Sequence, residues 1–292
     1  MPTNLGARAR GSATSFGFLA AWRAVRMAPE PVSLRAFELV ADRIYAGDGP
    51  GVRRLRSNLA RAGVIEEAVI RQAMRSYLRY WCESFRLPSW PVEDLVARTR
   101  TIDGQILHEA VAGRRGTVVA LPHMGNWDWA GAWARDQVQQ VMSVAERLKP
   151  ERVFDEFIAY RESIGIHVIP LTGAENPMPA LSSWLREGGL VCLLADRDLG
   201  RSGVGVELLG EPARVPAGPA VLARRTGAPL VPATLWYDGP ELVIRMHEPV
   251  PPGHPATMMQ GVADAFTESI RAHPVDWHML QRVFEADLGR GT

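Results

Sequence analysis

Apolar positions recur at helical spacing through the first third of the chain, and beyond it short apolar runs alternate with helical stretches. Between Pro31 and Trp90, Leu34, Phe37, Ala41 and Ile44 form one stripe, which Gly47 to Gly51 interrupts ahead of the arginine-rich stretch Arg53 to Arg56. Val69, Ala73, Tyr77, Tyr80 and Trp81 then mark a long helix from Glu66 to Arg86, closed by Pro88 to Pro91. Read as a helix, Ser15 to Met27 places Phe18, Trp22 and Val25 on one face and Arg23 and Arg26 on another.

From Thr101 the rhythm changes. The spacing predicts a helix over Ile102 to Ala112, a strand at Thr117 to Leu121, and a helix after Asn126. It continues with strands near Val141 to Val144, His167 to Pro170 and Leu190 to Ala195, and helices at Glu151 to Ser163 and Met178 to Arg186. Leu230 to Tyr237 and Glu241 to Met246, separated by Asp238-Gly239-Pro240, read as a hairpin. The expected fold is α/β: a central, mostly parallel sheet with an antiparallel edge, helices on both faces, and a helical N-terminal layer associating with a membrane. No internal repeat or low-complexity segment marks a boundary, so the chain is expected to be a single domain over 1–292, with a helical layer to about 97 and an α/β core from about 98.

Thr117-Val118-Val119-Ala120-Leu121 is continuously apolar, as a strand buried on both faces of a parallel sheet must be. Pro122 ends it, and Asn126 is a good N-cap for a helix opening with Trp127, Asp128 and Trp129. His123 therefore belongs at the carboxyl end of a strand, where open α/β sheets hold their chemistry. The spacing His123-x-x-x-x-Asp128 lets a carboxylate reach back to the imidazole, fixing its tautomer and stabilising the protonated ring. The same residues also suit a plain turn, with Asp128 serving the helix dipole and His123 bonded to backbone.

Composition narrows the class of protein. The 292 residues are 47% hydrophobic and 22% charged with a net charge of +1, an ordinary globular balance that argues against general nucleic-acid binding. The charge is uneven: the first 61 residues carry ten arginines against four acids. That basic end suits an anionic partner, and a basic helix with a Trp-containing apolar face suits an anionic membrane surface or, equally, the protein's own core. No apolar run approaches the roughly 20 residues needed to span a bilayer, and no cleavage site follows Phe16 to Trp22. Cys82 and Cys192 have neither disulfide nor metal spacing. No Walker loop, dinucleotide fingerprint or zinc spacing is present.

Further candidates lie where strands are expected to end. Asp196-Arg197-Asp198 follows one strand and leads into Gly200-Arg201-Ser202-Gly203, so Asp196 can approach His123 from a neighbouring strand. Glu146 and Arg147 follow another, Arg161 lies on the helix before His167, and Arg201 and Arg225 add further guanidinium groups able to hold phosphate. The proline-rich stretch 210–220 reads as loop leading into a helix.

His123 to Asp128, Asp196-Arg197-Asp198, Arg214-Val215-Pro216-Ala217-Gly218-Pro219-Ala220 and Thr226-Gly227-Ala228-Pro229 occur in this order. Together they resemble the bacterial lipid A biosynthesis acyltransferase family. Ala145 to Glu151, Tyr160-Arg161-Glu162-Ser163 and Asp276-Trp277-His278-Met279-Leu280-Gln281 resemble its actinobacterial branch, the phosphatidylinositol mannoside acyltransferases. The resemblance runs from Phe16 to Leu288. It implies transfer of a fatty acyl group, typically palmitoyl, from acyl-CoA to the 6-hydroxyl of the mannose on inositol position 2 of phosphatidylinositol mono- or dimannoside. It also implies a place at the cytoplasmic face of the inner membrane, with no metal or prosthetic group. His123 would work with Asp196, supported by Asp128 and Arg161, while Ser202, with Glu146, Arg147, Arg201 and Arg225, would bind substrate. The chain departs at Asp196, where mycobacterial members carry glutamate, so whether Asp196 or Asp128 meets the imidazole stays open at this level.

With the substrates that the resemblance implies, His123 would take the sugar hydroxyl proton as that oxygen attacks the thioester, and backbone N–H groups of the His123 to Asn126 turn would hold the oxyanion. An acyltransferase of another glycolipid, a thioesterase and a peripheral lipid-binding protein with a structural His123 are the other readings.

Overall fold

The computed structural model describes residues 22–146, 151–171, 176–198 and 203–288. Helices α1 (Glu30–Ala46), α2 (Pro50–Arg61) and α3 (Glu67–Arg86) form the N-terminal layer, and α4 (Val92–Ala97) leads into the sheet. Strands β1 (Thr99–Ile102), β2 (Thr117–Leu121), β3 (Val141–Ala145), β4 (Ile166–Pro170), β5 (Leu190–Leu194), β8 (Leu230–Asp238) and β9 (Glu241–Met246) make a seven-stranded sheet in the order β1-β9-β8-β2-β5-β3-β4. Strands β8, β2, β5, β3 and β4 are parallel, and the 238–241 turn sets β9 antiparallel to β8 with β1 alongside it. Helices α5 (Gln105–Ala112), α6 (Trp127–Gln137), α7 (Glu151–Ser163), α8 (Met178–Arg186), α9 (Gly218–Thr226) and α10 (Pro255–Ala272) cover both faces.

All five residues of β2 are buried, and they serve two cores alternately. Val118 and Ala120 face the core built with α1, α2, α3, α8, α9 and α10, whereas Val119 and Leu121 face the one built with α5, α6 and α7. This is the packing that the continuous apolar run requires, because both sides of a period-2 strand leave water.

Two stretches differ from expectation. Thr99–Ile102 is an edge strand rather than the approach to a helix; its residues are half-buried or exposed, so no apolar run announces it. Val204–Leu208 and Glu211–Val215, read as glycine- and proline-rich loop, pair as an antiparallel hairpin, β6 and β7. The reading of Ser15 to Met27 as a membrane-facing helix falls partly outside the described residues. Residues 22–27 are helical, but Trp22 is buried. Its indole donates to the Phe85 carbonyl at 3.0 Å, and its ring lies 4.8 Å from Phe85 and 5.2 Å from Phe157. Trp22 and Val25 of that face pack against the protein's own core, where a tryptophan can bury its ring and still satisfy its N–H, while Phe18 lies outside the described residues.

Candidate active site

Parallel strands in register carry whatever follows them to the same edge. Leu121 of β2 pairs with Leu194 of β5, so His123 and Asp196 stand at equal distances beyond the last pair. A separation of 73 positions in sequence closes to a hydrogen bond: His123 Nδ1 lies 2.6 Å from Asp196 Oδ1. The backbone N–H of His123 donates to Asp196 Oδ2 at 2.8 Å, and the Trp277 indole N–H donates to the same oxygen at 3.0 Å.

Asp196 is fully buried, and burial alone would raise its pKa. The charge of His123 and these donors outweigh burial and hold the carboxyl below its usual range. The acid is therefore ionised at neutral pH, Nδ1 of His123 keeps its proton, and Nε2 is left as the ring nitrogen that accepts. The His123 side chain is 23% exposed, so the imidazole stands between a buried carboxylate and solvent.

The backbone around it is tightly held. After Pro122 the chain turns through Gly125 at φ +57°, where a Cβ would fall 2.9 Å from the Leu235 side chain, so only glycine fits. Asn126 caps α6 by accepting from Trp129 N at 3.0 Å, and its amide donates to Glu83 at 3.1 Å. Gly125 N donates to the Asp276 carbonyl at 2.9 Å, and His278 N donates to the His123 carbonyl at 2.7 Å. Residues 276–278 thus run beside the histidine turn.

Asp128 does not reach His123. It is buried in α6, where Oδ1 accepts from Arg161 Nε at 2.8 Å and Oδ2 from the Tyr80 hydroxyl at 3.1 Å. Burial works against the Arg161 charge, but Asp128 overrides it and pushes the guanidinium pKa up. Arg161 is accordingly engaged with Asp128, and the pair fastens α7 to α6. The open choice between the two acids is settled by register: Asp196 contacts the histidine, and Asp128 braces the helix that follows it.

The other candidates divide. Glu146 is exposed just beyond the carboxyl end of β3, on the same sheet edge as His123. Arg225 is exposed in the last turn of α9, which runs back to the start of β8, so it sits over the amino edge, away from His123. Arg147, Arg201 and Ser202 lie outside the described residues. Of the His123 to Asn126 turn, the backbone N–H groups of His123, Met124 and Gly125 are already donated, to Asp196, Pro122 O and Asp276 O, which removes these three, and not that of Asn126, as oxyanion donors. The Trp127 indole N–H, on a ring 5.4 Å from His123, is buried with no partner among the described residues.

Glu83 escaped notice because nothing local marks it, and Trp277 and His278 stood out only as part of a stretch resembling one branch of the family, with no sign of what they touch. Glu83 lies inside an ordinary amphipathic helix, yet it is buried and accepts from Arg79 at 2.7 Å, Tyr237 at 2.8 Å and Asn126. For the role of Trp277, as distinct from its place in that stretch, the hint is that a buried indole N–H must find an acceptor.

A histidine beyond one strand, its ring oriented by a buried carboxylate beyond the neighbouring strand, is an arrangement able to supply general-base chemistry. The family comparison agrees: residues 7–286 match the family of bacterial lipid A biosynthesis acyltransferases, and the chain belongs to that family. Within it, the chain is similar to the phosphatidylinositol mannoside acyltransferase of Mycolicibacterium smegmatis, with 42% identity over 286 residues, 95% of this chain and 93% of that protein. The phosphatidylinositol mannoside acyltransferase of Mycobacterium tuberculosis strain H37Rv is also 42% identical, over 287 residues, 95% of this chain and 90% of that protein.

Proposed function

We propose that this acyltransferase moves a palmitoyl group from acyl-CoA to the 6-hydroxyl of the mannose on inositol position 2 of phosphatidylinositol mono- or dimannoside. The observation that carries the chemistry is the 2.6 Å contact between His123 Nδ1 and Asp196, which leaves Nε2 as a base. Nε2 takes the hydroxyl proton as the sugar oxygen attacks the thioester carbonyl. The tetrahedral adduct collapses with a new ester C–O bond, the C–S bond breaks, and the imidazolium returns its proton to the departing thiolate, giving free CoA. The Trp127 N–H, without a partner among the described residues, is our candidate for the adduct's oxyanion in place of those three backbone groups. The nature of the acceptor rests on the names of the relatives.

The test is a mass-resolved assay of palmitoyl-CoA with phosphatidylinositol, its mono- and dimannosides, and no acceptor. Acylated mannoside with CoA released in equal amount is expected. CoA release at the same rate without acceptor would mean a thioesterase, and product from unmannosylated lipid would move the specificity to another glycolipid.

We also place the enzyme peripherally on an anionic membrane surface, facing the cytoplasm. No helix among the described residues is long and apolar enough to cross a membrane. With Trp22 buried, one apolar surface on offer among the described residues is the outer side of α1, where Val32, Leu39, Val40 and Ile44 are 43% to 59% exposed with Arg35 and Arg43 beside them. An apolar stripe flanked by arginine suits the boundary between headgroups and acyl chains. Leu39→Glu with Val40→Glu should lower co-sedimentation with anionic vesicles roughly tenfold, without changing thermal stability. Unchanged sedimentation would place the contact elsewhere.

A further inference from the structure

A carboxylate with no exposed surface stays ionised only where N–H donors replace the water it has lost. Two of the donors to Asp196 belong to His123; the third is the indole of Trp277 from the far end of the chain, itself fully buried. Trp277 has no contact with solvent, so its N–H serves Asp196 and nothing else. Residues 276–278 lie antiparallel to 123–125, joined at Gly125 N to Asp276 O, at the Met124–Trp277 bridge, and at His278 N to His123 O. The segment grips both partners of the dyad at once.

We propose that Trp277 is a positioning residue for acyl transfer: its N–H anchors Oδ2 of Asp196, turns Oδ1 toward the imidazole, and limits how strongly the carboxylate draws a proton onto the ring. This rests on the acyltransferase reading of His123. With the indole N–H removed, Oδ2 keeps one donor, the carboxylate rotates more freely, and it becomes a stronger acceptor. A stronger acceptor favours the protonated imidazole, so a smaller share of the enzyme presents a bare Nε2 at a given pH.

The other charged groups facing the dyad stay as they are. Burial, then the charge of His123, pushes His278 down to about 3, so it is neutral, and its Nε2 meets the Ser76 hydroxyl at 3.0 Å. Burial raises Asp276, whose side chain also takes Ser76 and the Tyr237 N–H. From α3, Arg79 and Glu83 pair at 2.7 Å, and from α6 and α7, Asp128 and Arg161 pair at 2.8 Å. Arg197 and Asp198 follow Asp196 in its own loop.

Trp277→Phe keeps most of the ring and deletes the donor. Trp129→Phe is the matched control: Trp129 is also fully buried, and its N–H donates to Thr99 Oγ1 at 2.8 Å, away from Asp196. Both variants should lose thermal stability. Only Trp277→Phe should lower kcat, about three- to thirtyfold with little change in KM, and move the acid limb of the rate profile about half a pH unit upward, as loss of one hydrogen bond to a charged group implies. β-(3-benzothienyl)alanine at position 277, which keeps the shape and lacks the N–H, should reproduce the shift, and Trp277→His, which returns a ring N–H, should reverse part of it.

Histidine ¹⁵N NMR titration of His123 gives a second readout that does not depend on turnover and should move the same way. An unmoved acid limb and titration in the Trp277 variants, or an equal movement in Trp129→Phe, overturns the proposal. Wild-type protein without acyl transfer overturns the function reading instead, while the NMR shift still decides the coupling of Trp277 to His123.

Discussion

His123→Ala should form acylated lipid roughly 10²- to 10⁴-fold more slowly than the wild type, the range that a positioned general base supplies. The fold should survive. The ring is part-exposed in a loop, and the alanine still offers the backbone N–H that donates to Asp196, while Trp277 supplies the other donor. What disappears is the atom that takes the hydroxyl proton. Product would be followed by mass and folding by thermal denaturation. A folded variant that makes product at the wild-type rate would remove His123 from the chemistry and leave it as a turn residue.

The two acids should fail in different ways. Asp196→Asn leaves a neutral amide beside Nδ1, which no longer holds the ring in the productive tautomer; a comparable change in a serine-protease triad costs about 10⁴ in kcat. Asp128→Ala instead leaves the Arg161 guanidinium and the Tyr80 hydroxyl buried without their partner. Breaking a buried pair from one side costs about 3–5 kcal/mol, so Asp128→Ala should be the less stable protein, its deficit appearing as lost folded enzyme. Asp128→Ala combined with Arg161→Leu should recover part of that stability, since the stranded charge is gone. Denaturant unfolding alongside kcat per folded molecule separates the two. If Asp128→Ala proved stable but inactive, the acid would belong to the reaction and not to the brace.

How much of this was legible along the chain depended on how local each signal is. The strand at Thr117–Leu121 and the cap at Asn126 announce themselves because burial on both faces demands unbroken apolar residues and a helix start demands an acceptor. The edge strand Thr-Arg-Thr-Ile at 99–102 has neither demand, and the β6–β7 hairpin contains Gly205 and Pro212, residues that a sequence usually places in loops. The histidine was visible, but its partner was not decided: Asp128 is near in sequence, whereas Asp196 is near only through the pairing of β2 with β5. Arg225 shows the converse, a basic residue with fitting chemistry whose helix carries it to the wrong edge. Trp277 could be recognised only once the chain was folded, because an indole donor reveals nothing until its acceptor is known.

The contacts of residues 276–278 also mean that the dyad is complete only when this segment is in place. A chain emerging from the ribosome exposes β2, β5 and the histidine turn well before these residues, and domains generally condense as whole units as synthesis proceeds. Until the final segment docks, the His123 carbonyl, the Gly125 N–H and one oxygen of Asp196 lack the partners they have in the finished protein. On the role proposed for Trp277, a chain that already has its sheet and both members of its dyad would acylate poorly until residues 276–278 dock against them.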